Sequence, residues 1–270
     1  MDNRAIGVFD SGFGGLTAVR TIRRLLPDEN IIYFADSGRA PYGGRSRDEL
    51  AIMARQDLDL LMSHGVKAIV AACGTVSSNV PHLLENCPVK TFGVVKSAAR
   101  AMAEIPGEGP IGIIATEASI RSGSFKRETE ALGVSREIIS CPCPDFVPLI
   151  ESGHVSADDG RLIEAVERYL RPMKQSGISA LLLGCTHYGI ISRAIGNYLG
   201  EGVELVSAAD SVGFQLRDYI EASELAGTGG QEHFITSGEP ETFRRLAGLF
   251  LGREIGLPEQ VAPMEVKTAE

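Results

Sequence analysis

Five cysteines stand in this 270-residue chain, and two of them occupy matching settings. Cys73 follows the apolar run Ala68-Ile69-Val70-Ala71-Ala72 and precedes Gly74-Thr75-Val76-Ser77-Ser78. Cys185 follows Ala180-Leu181-Leu182-Leu183-Gly184 and precedes Thr186-His187-Tyr188-Gly189. Each sits where a buried strand gives way to a small, polar turn leading into a helix, the edge at which parallel sheets bind ligands. A free cysteine taken singly is more often a small buried hydrophobe than a catalyst. A matched pair can do more. One thiolate and one thiol on opposite sides of a carbon can take a proton from one face and return one to the other, inverting an acidic C–H centre. Cysteine suits the task because its ordinary pKa, about 8.5, keeps both protonation states within reach of neutrality. A helix N-terminus at each turn is expected to supply N–H donors and lower the thiol pKa.

Other polar residues gather at equivalent turns. Asp10-Ser11-Gly12-Phe13-Gly14-Gly15 closes a strand and opens a helix, so its glycines are expected to admit a ligand to backbone N–H groups. A dinucleotide fingerprint is the competing reading, but Thr17 stands where G-x-G-x-x-G needs its last glycine. Asp10 is a candidate to orient a substrate ammonium group or assist Cys73; alone it reads equally as a cap. Thr116 holds the matching place in the second half. His187 could stabilise a Cys185 thiolate as imidazolium, and Glu151 could orient an acid or base, although each alone is more often structural or solvated. Pro41-Tyr42-Gly43-Gly44 is a tight turn able to present N–H groups to a carboxylate, or a turn and nothing more. Cys87, before Pro88, has no such turn. Cys141-Pro142-Cys143-Pro144 reads as an extended connector with structural cysteines, and no second Cys/His pair at ligand spacing accompanies it, so no metal is expected.

The elements that must position these residues alternate as in a parallel α/β protein. Predicted strands are 6–9, 31–34, 68–72 and 91–95, then 111–115, 137–140, 180–184 and 204–207. Ile6 and Ile111, Ile32 and Ile138, Ala68 and Ala180, and Phe92 and Val203 recur at a nearly constant offset. The helices predicted over 48–63 and 159–176 share it, each followed by a glycine (Gly65, Gly177) suited to a C-terminal cap. The fold class is therefore α/β: two similar parallel-sheet domains related by pseudo-twofold symmetry, with the active site in the cleft between them. Residues 1–97 with 208–270 are assigned to the first domain and 98–207 to the second. A strand over 233–236 and a helix over 241–251 return to the first half. Residues 221–231 read as a flexible loop and the last dozen as frayed.

A net charge of −9 argues against a nucleic-acid or anionic-membrane partner, and no apolar run approaches the roughly 20 residues of a spanning helix. An odd cysteine count and a start lacking a secretory pattern point to reduced thiols in the cytoplasm. The expected partner is a small-molecule amino-acid substrate, with room for a homodimer.

Taken together these residues resemble the aspartate/glutamate racemase family over nearly the whole chain. The matching stretches are Phe9-Asp10-Ser11-Gly12-Phe13-Gly14-Gly15, Tyr33-Phe34-Ala35-Asp36-Ser37, Pro41-Tyr42-Gly43, Pro148-Leu149-Ile150-Glu151-Ser152-Gly153 and Leu183-Gly184-Cys185-Thr186-His187-Tyr188. The resemblance implies that Cys73 and Cys185 are catalytic, helped by Asp10, Glu151 and His187. It implies that Asp10, Ser11, Pro41, Tyr42, Gly43, Gly74, Thr75, Thr116, Thr186 and His187 surround the substrate. No pyridoxal phosphate, metal or nucleotide would be needed, and D-glutamate would be supplied to peptidoglycan. Three departures stand out: Gly74 where the family usually has Asn, Gly189 where it has Pro, and Lys96-Ser97 where it has an acidic residue and Pro. The first bears on substrate identity and keeps open a racemase for aspartate or a related amino acid, or a binding protein without turnover.

Overall fold

The computed structural model describes residues 1–266. In strand β1 (Ile6–Asp10) side chains alternate across the pleat, Ile6 and Val8 entering one apolar cluster and Phe9 another. The same alternation divides β2 (Ile31–Ala35) and β3 (Ala68–Ala71), so both faces of this sheet are buried and both carry helices. β4 (Lys90–Gly93) stops two residues short of the predicted end because Val94 already opens the helix Val94–Glu104. The second run comprises β5 (Ile111–Ala115), β6 (Ile138–Pro142), β7 (Ala180–Leu183) and β8 (Glu204–Ser207). β9 (Glu232–Thr236) and β10 (Glu259–Gln260) end the chain's strands.

Two parallel sheets result, ordered β10-β9-β2-β1-β3-β4 and β6-β5-β7-β8. Their shared part repeats in register. Ile6 pairs with Ile31 and Ala68 as Ile111 pairs with Ile138 and Ala180. Phe9 stands beside Ala71 as Ile114 stands beside Leu183, which puts Cys73 and Cys185 at equivalent strand ends. The long helices repeat too. Arg47–Ser63 starts with a Ser46–Glu49 capping box, Gly160–Gln175 starts with Asp159 as cap, and Gly65 and Gly177 end them at φ +67° and +65°.

The chain crosses between halves after the helices Val94–Glu104 and Ala208–Ala222, which pack together and are joined by Ser97 Oγ donating to Gln215 Oε1 at 2.6 Å. The boundary expected at 97/98 falls inside the first of these helices. Three expectations need correction. Cys141 and Pro142 are not connector but the end of β6, an edge strand where a missing N–H costs little. Residues 221–222 finish a helix, and the rest of the supposed flexible loop is tied down. Gly227 N donates to Glu29, Thr228 N to Asn3 and Gln231 N to Asn30, while Lys67 Nζ reaches the Leu225 carbonyl from a buried pair with Glu29. Of the last dozen residues, Glu259–Gln260 pair with β9, and Val261, Met264 and Val266 pack on the core; residues 267–270 lie outside those described. The second cysteine turn opens a 3-10 helix, Thr186–Ile191.

Beneath the turn at 40–44 lies a buried polar cluster. Arg39 bridges Asp36 at 2.5 Å and Asp57 at 2.9 Å, and the Tyr42 hydroxyl donates to both carboxylates. Breaking a buried pair by deleting one partner strands the other charge, at a cost of about 3–5 kcal/mol. Arg39→Met is therefore expected to lower the urea unfolding free energy by about that amount. A loss below about 1 kcal/mol would show the cluster to be no better than a surface pair.

Candidate active site

Parallel strands deliver their C-terminal ends to one edge of each sheet, and here the two edges enclose a cavity of about 830 Å³. Cys73 and Cys185 both line it, each less than a tenth exposed. The turn after β1 brings Asp10 and Ser11, the turn after β3 brings Gly74 and Thr75, and Thr116 follows β5.

On the first side, Cys73 Sγ donates to Ser11 Oγ at 3.5 Å. Burial, with the Asp10 carboxylate nearby, pushes its thiol up to about 12. The expected depression by a helix N-terminus is therefore outweighed, although Ser11 and the Val76 backbone pull in that direction. Asp10 is itself buried, which raises its carboxyl above the usual range. The charge of His187 and hydrogen bonds from Gly12 N, Thr186 and Ser11 oppose that rise.

On the second side, three side chains form a row. His187 Nδ1 lies 3.8 Å from Cys185 Sγ, and its Nε2 lies 3.0 Å from Glu151 Oε1. Burial disfavours a charged imidazole, but the bonds to Cys185 and Glu151, with Asp10 nearby, more than compensate and raise His187 to about 10. Its two ring nitrogens thus face a sulfur on one side and a carboxylate on the other.

The halves are joined at the site itself. Thr186 Oγ1 donates to Asp10 Oδ2 at 3.2 Å, and Thr17 Oγ1 donates to the Thr186 carbonyl at 3.0 Å. Gly14 lies against this seam. A Cβ there would stand 2.2 Å from His187 Nδ1 and 2.4 Å from Thr186 Oγ1, so no side chain fits. The expectation that this glycine admits a ligand is thus corrected, because what it admits is the other half of the protein. Gly74 likewise faces the opposite half, with the Gly184 carbonyl 3.1 Å from where its Cβ would be.

All the candidate residues border the cavity: Asp10, Ser11, Pro41, Tyr42, Gly43, Cys73, Gly74, Thr75, Thr116, Glu151, Cys185, Thr186 and His187. The Tyr42 ring is buried and its hydroxyl is committed to Asp36 and Asp57. The Thr116 hydroxyl caps no helix and instead meets Ser119 Oγ at 3.1 Å. The sequence reading missed Cys143, Ser119, Val147 and Thr242, which also border the cavity. Applying the strand-end rule to β6 and β9 as well as to β1, β3, β5 and β7 would have pointed to Cys143 and to the turn before Thr242. Among the described residues no cluster of three or more His, Cys, Asp or Glu is arranged to hold a metal.

Residues 13–212 match the sequence profile of the Asp/Glu/hydantoin racemases. A protein named glutamate racemase 2, from Caldanaerobacter subterraneus subsp. tengcongensis, is 35% identical over 94% of this chain and 96% of its own. The crystal structure of glutamate racemase from Francisella tularensis in complex with D-glutamate is similar with a TM-score of 0.88 and 32% identity, covering 97% of this chain and 99% of that one. The Thermus thermophilus glutamate racemase, in complex with β-chloro-D-alanine, gives 0.86 and 38% over 97% and 98%. By these similarities the chain belongs to the Asp/Glu/hydantoin racemase family and is an amino-acid racemase.

Proposed function

We propose that this racemase interconverts L- and D-glutamate without a cofactor, using Cys73 and Cys185 as the two proton carriers, and that its D-glutamate supplies peptidoglycan. The observation that carries the reading is the opening of both cysteines, at equivalent strand ends of two repeated sheets, onto a single cavity. The glutamate racemases similar to this chain support the choice of substrate. No described helix is long and apolar enough to cross a membrane, and all five cysteines are free, which fits a reducing cytoplasm.

In the proposed reaction a thiolate removes the α-proton, leaving a planar carbon whose electron pair is shared with the carboxylate. The thiol on the far side then delivers its proton to the opposite lobe. One thiolate becomes a thiol and one thiol becomes a thiolate, so protons and charge balance. The protonated Cys73 makes it the first acid, and the His187 imidazolium beside Cys185 makes that sulfur the first base. When the reaction runs the other way, a substrate ammonium group near Asp10 would offset that carboxylate and ease ionisation of Cys73. The hydroxyls of Ser11, Thr75 and Thr116, with backbone N–H groups at these turns, are the donors nearest to hand for two carboxylates.

Positioned acid–base groups typically contribute about 10²–10⁴-fold. Cys73→Ser and Cys185→Ser are each expected to lower kcat for glutamate by about that factor, with little change in melting temperature. Turnover that survives either change, or that favours aspartate, would overturn the assignment of mechanism or of substrate.

The His187 imidazolium also has a thermodynamic signature. Its folded pKa, about 10, lies above the ordinary value of 6.5. Its contribution to stability is therefore complete below about pH 6.5 and lost as pH rises through about 10. The stability difference between the parent and His187→Asn, measured in urea, should shrink across that window. A difference independent of pH would contradict the charged ring.

A further inference from the structure

His187 serves two partners at once, and only one ring orientation allows it. Half a turn about the Cβ–Cγ bond would put carbons where Nδ1 and Nε2 now meet Cys185 and Glu151. Two contacts from the first half fix the plane of the ring, from which any tilt would lengthen both bonds. One is Gly14, whose backbone lies so close to Nδ1 and Cε1 that a methyl group would collide with both. The other is Phe250, on the helix Pro240–Leu251, whose ring lies 5.1 Å from the imidazole, centroid to centroid, and at 89° to it. Phe250 is completely buried, and by that measure alone it is one more core aromatic. Its position against a ring that carries charge and two directional bonds gives it a second use.

We infer that Phe250 is a positioning residue for proton transfer, acting with Gly14 to clamp the His187 imidazole in the one orientation that serves Cys185 and Glu151 together. The inference rests on the two-thiol reading above. It makes the C-terminal helix of the first half part of the apparatus that activates a thiol carried by the second. The ionisable groups facing the Cys185–His187 pair are Asp10 after β1, Glu151 on the helix Phe146–Glu151, Cys143 beyond β6 and the neighbouring Tyr188. Replacing Phe250 alters none of them chemically, so a change in Cys185 behaviour reports the orientation of His187.

The test is the pH dependence of Cys185 alkylation by iodoacetamide in full-length Cys73→Ser protein. Modification is read by mass on the peptide 175–193, between Lys174 and Arg193, whose only cysteine is Cys185. Phe250→Leu and the milder Phe250→Met are each added to this parent, and Phe250→Tyr serves as the conservative control. The clamp predicts that Leu and Met slow Cys185 alkylation at neutral pH severalfold, and that Tyr restores it. In protein with Cys73 intact, the same changes should lower kcat more than they alter KM. Alkylation profiles that superimpose on the parent while only the melting temperature falls would reduce Phe250 to core packing and overturn the inference. A parent profile unmoved by His187→Asn would instead overturn the His187–Cys185 reading beneath it.

Discussion

The hydrogen bond from Thr186 to Asp10 and the bare backbone of Gly14 beneath His187 hold two sheets at a fixed separation. In the proposed reaction, thiols on separate sheets act on one carbon only while that separation is kept. An error of 1 Å at a reacting centre can cost a hundredfold in rate. Asp10, Thr186 and His187 both meet across this seam and border the cavity. Asp10 illustrates the economy of the arrangement. It accepts from its own turn, bonds across the seam, and sets the charge felt by Cys73.

Repetition explains how the arrangement arises from one chain. β1 to β4 and β5 to β8 share order and register, so each cysteine inherits the same place at the end of the same strand. The surroundings have diverged. Cys73 opens a short α-helix and has a carboxylate beside it, whereas Cys185 opens a 3-10 turn and has an imidazolium beside it. The asymmetry of the two turns comes from their neighbours rather than from the sulfurs.

Much of this was legible from residue order. Apolar runs ending in small polar turns located both cysteines, and the nearly constant offset between Ile6 and Ile111 and between Ala68 and Ala180 exposed the repeat. What escaped depends on contacts between segments distant in sequence. The turn at Tyr42 was visible, but its hydroxyl is drawn inward by Asp36 and Asp57, the latter on a helix that the turn itself does not announce. Gly14 read as a ligand cradle because nothing local reveals that residues 186 and 187 fill the space above it. The rise in the Cys73 pKa was missed for a similar reason: a helix N-terminus is a local feature, whereas burial and the nearness of Asp10 are products of assembly.

The central claim is that the proton removed and the proton returned travel on different sulfurs. It is tested most directly by running the reaction in D2O from each enantiomer of glutamate and analysing Cα early in turnover. Two carriers predict deuterium in the newly formed enantiomer and protium retained in the unreacted one, from both directions. Deuterium appearing equally in the recovered starting enantiomer, or product that keeps its original proton, would mean that a single group serves both faces and would contradict the account.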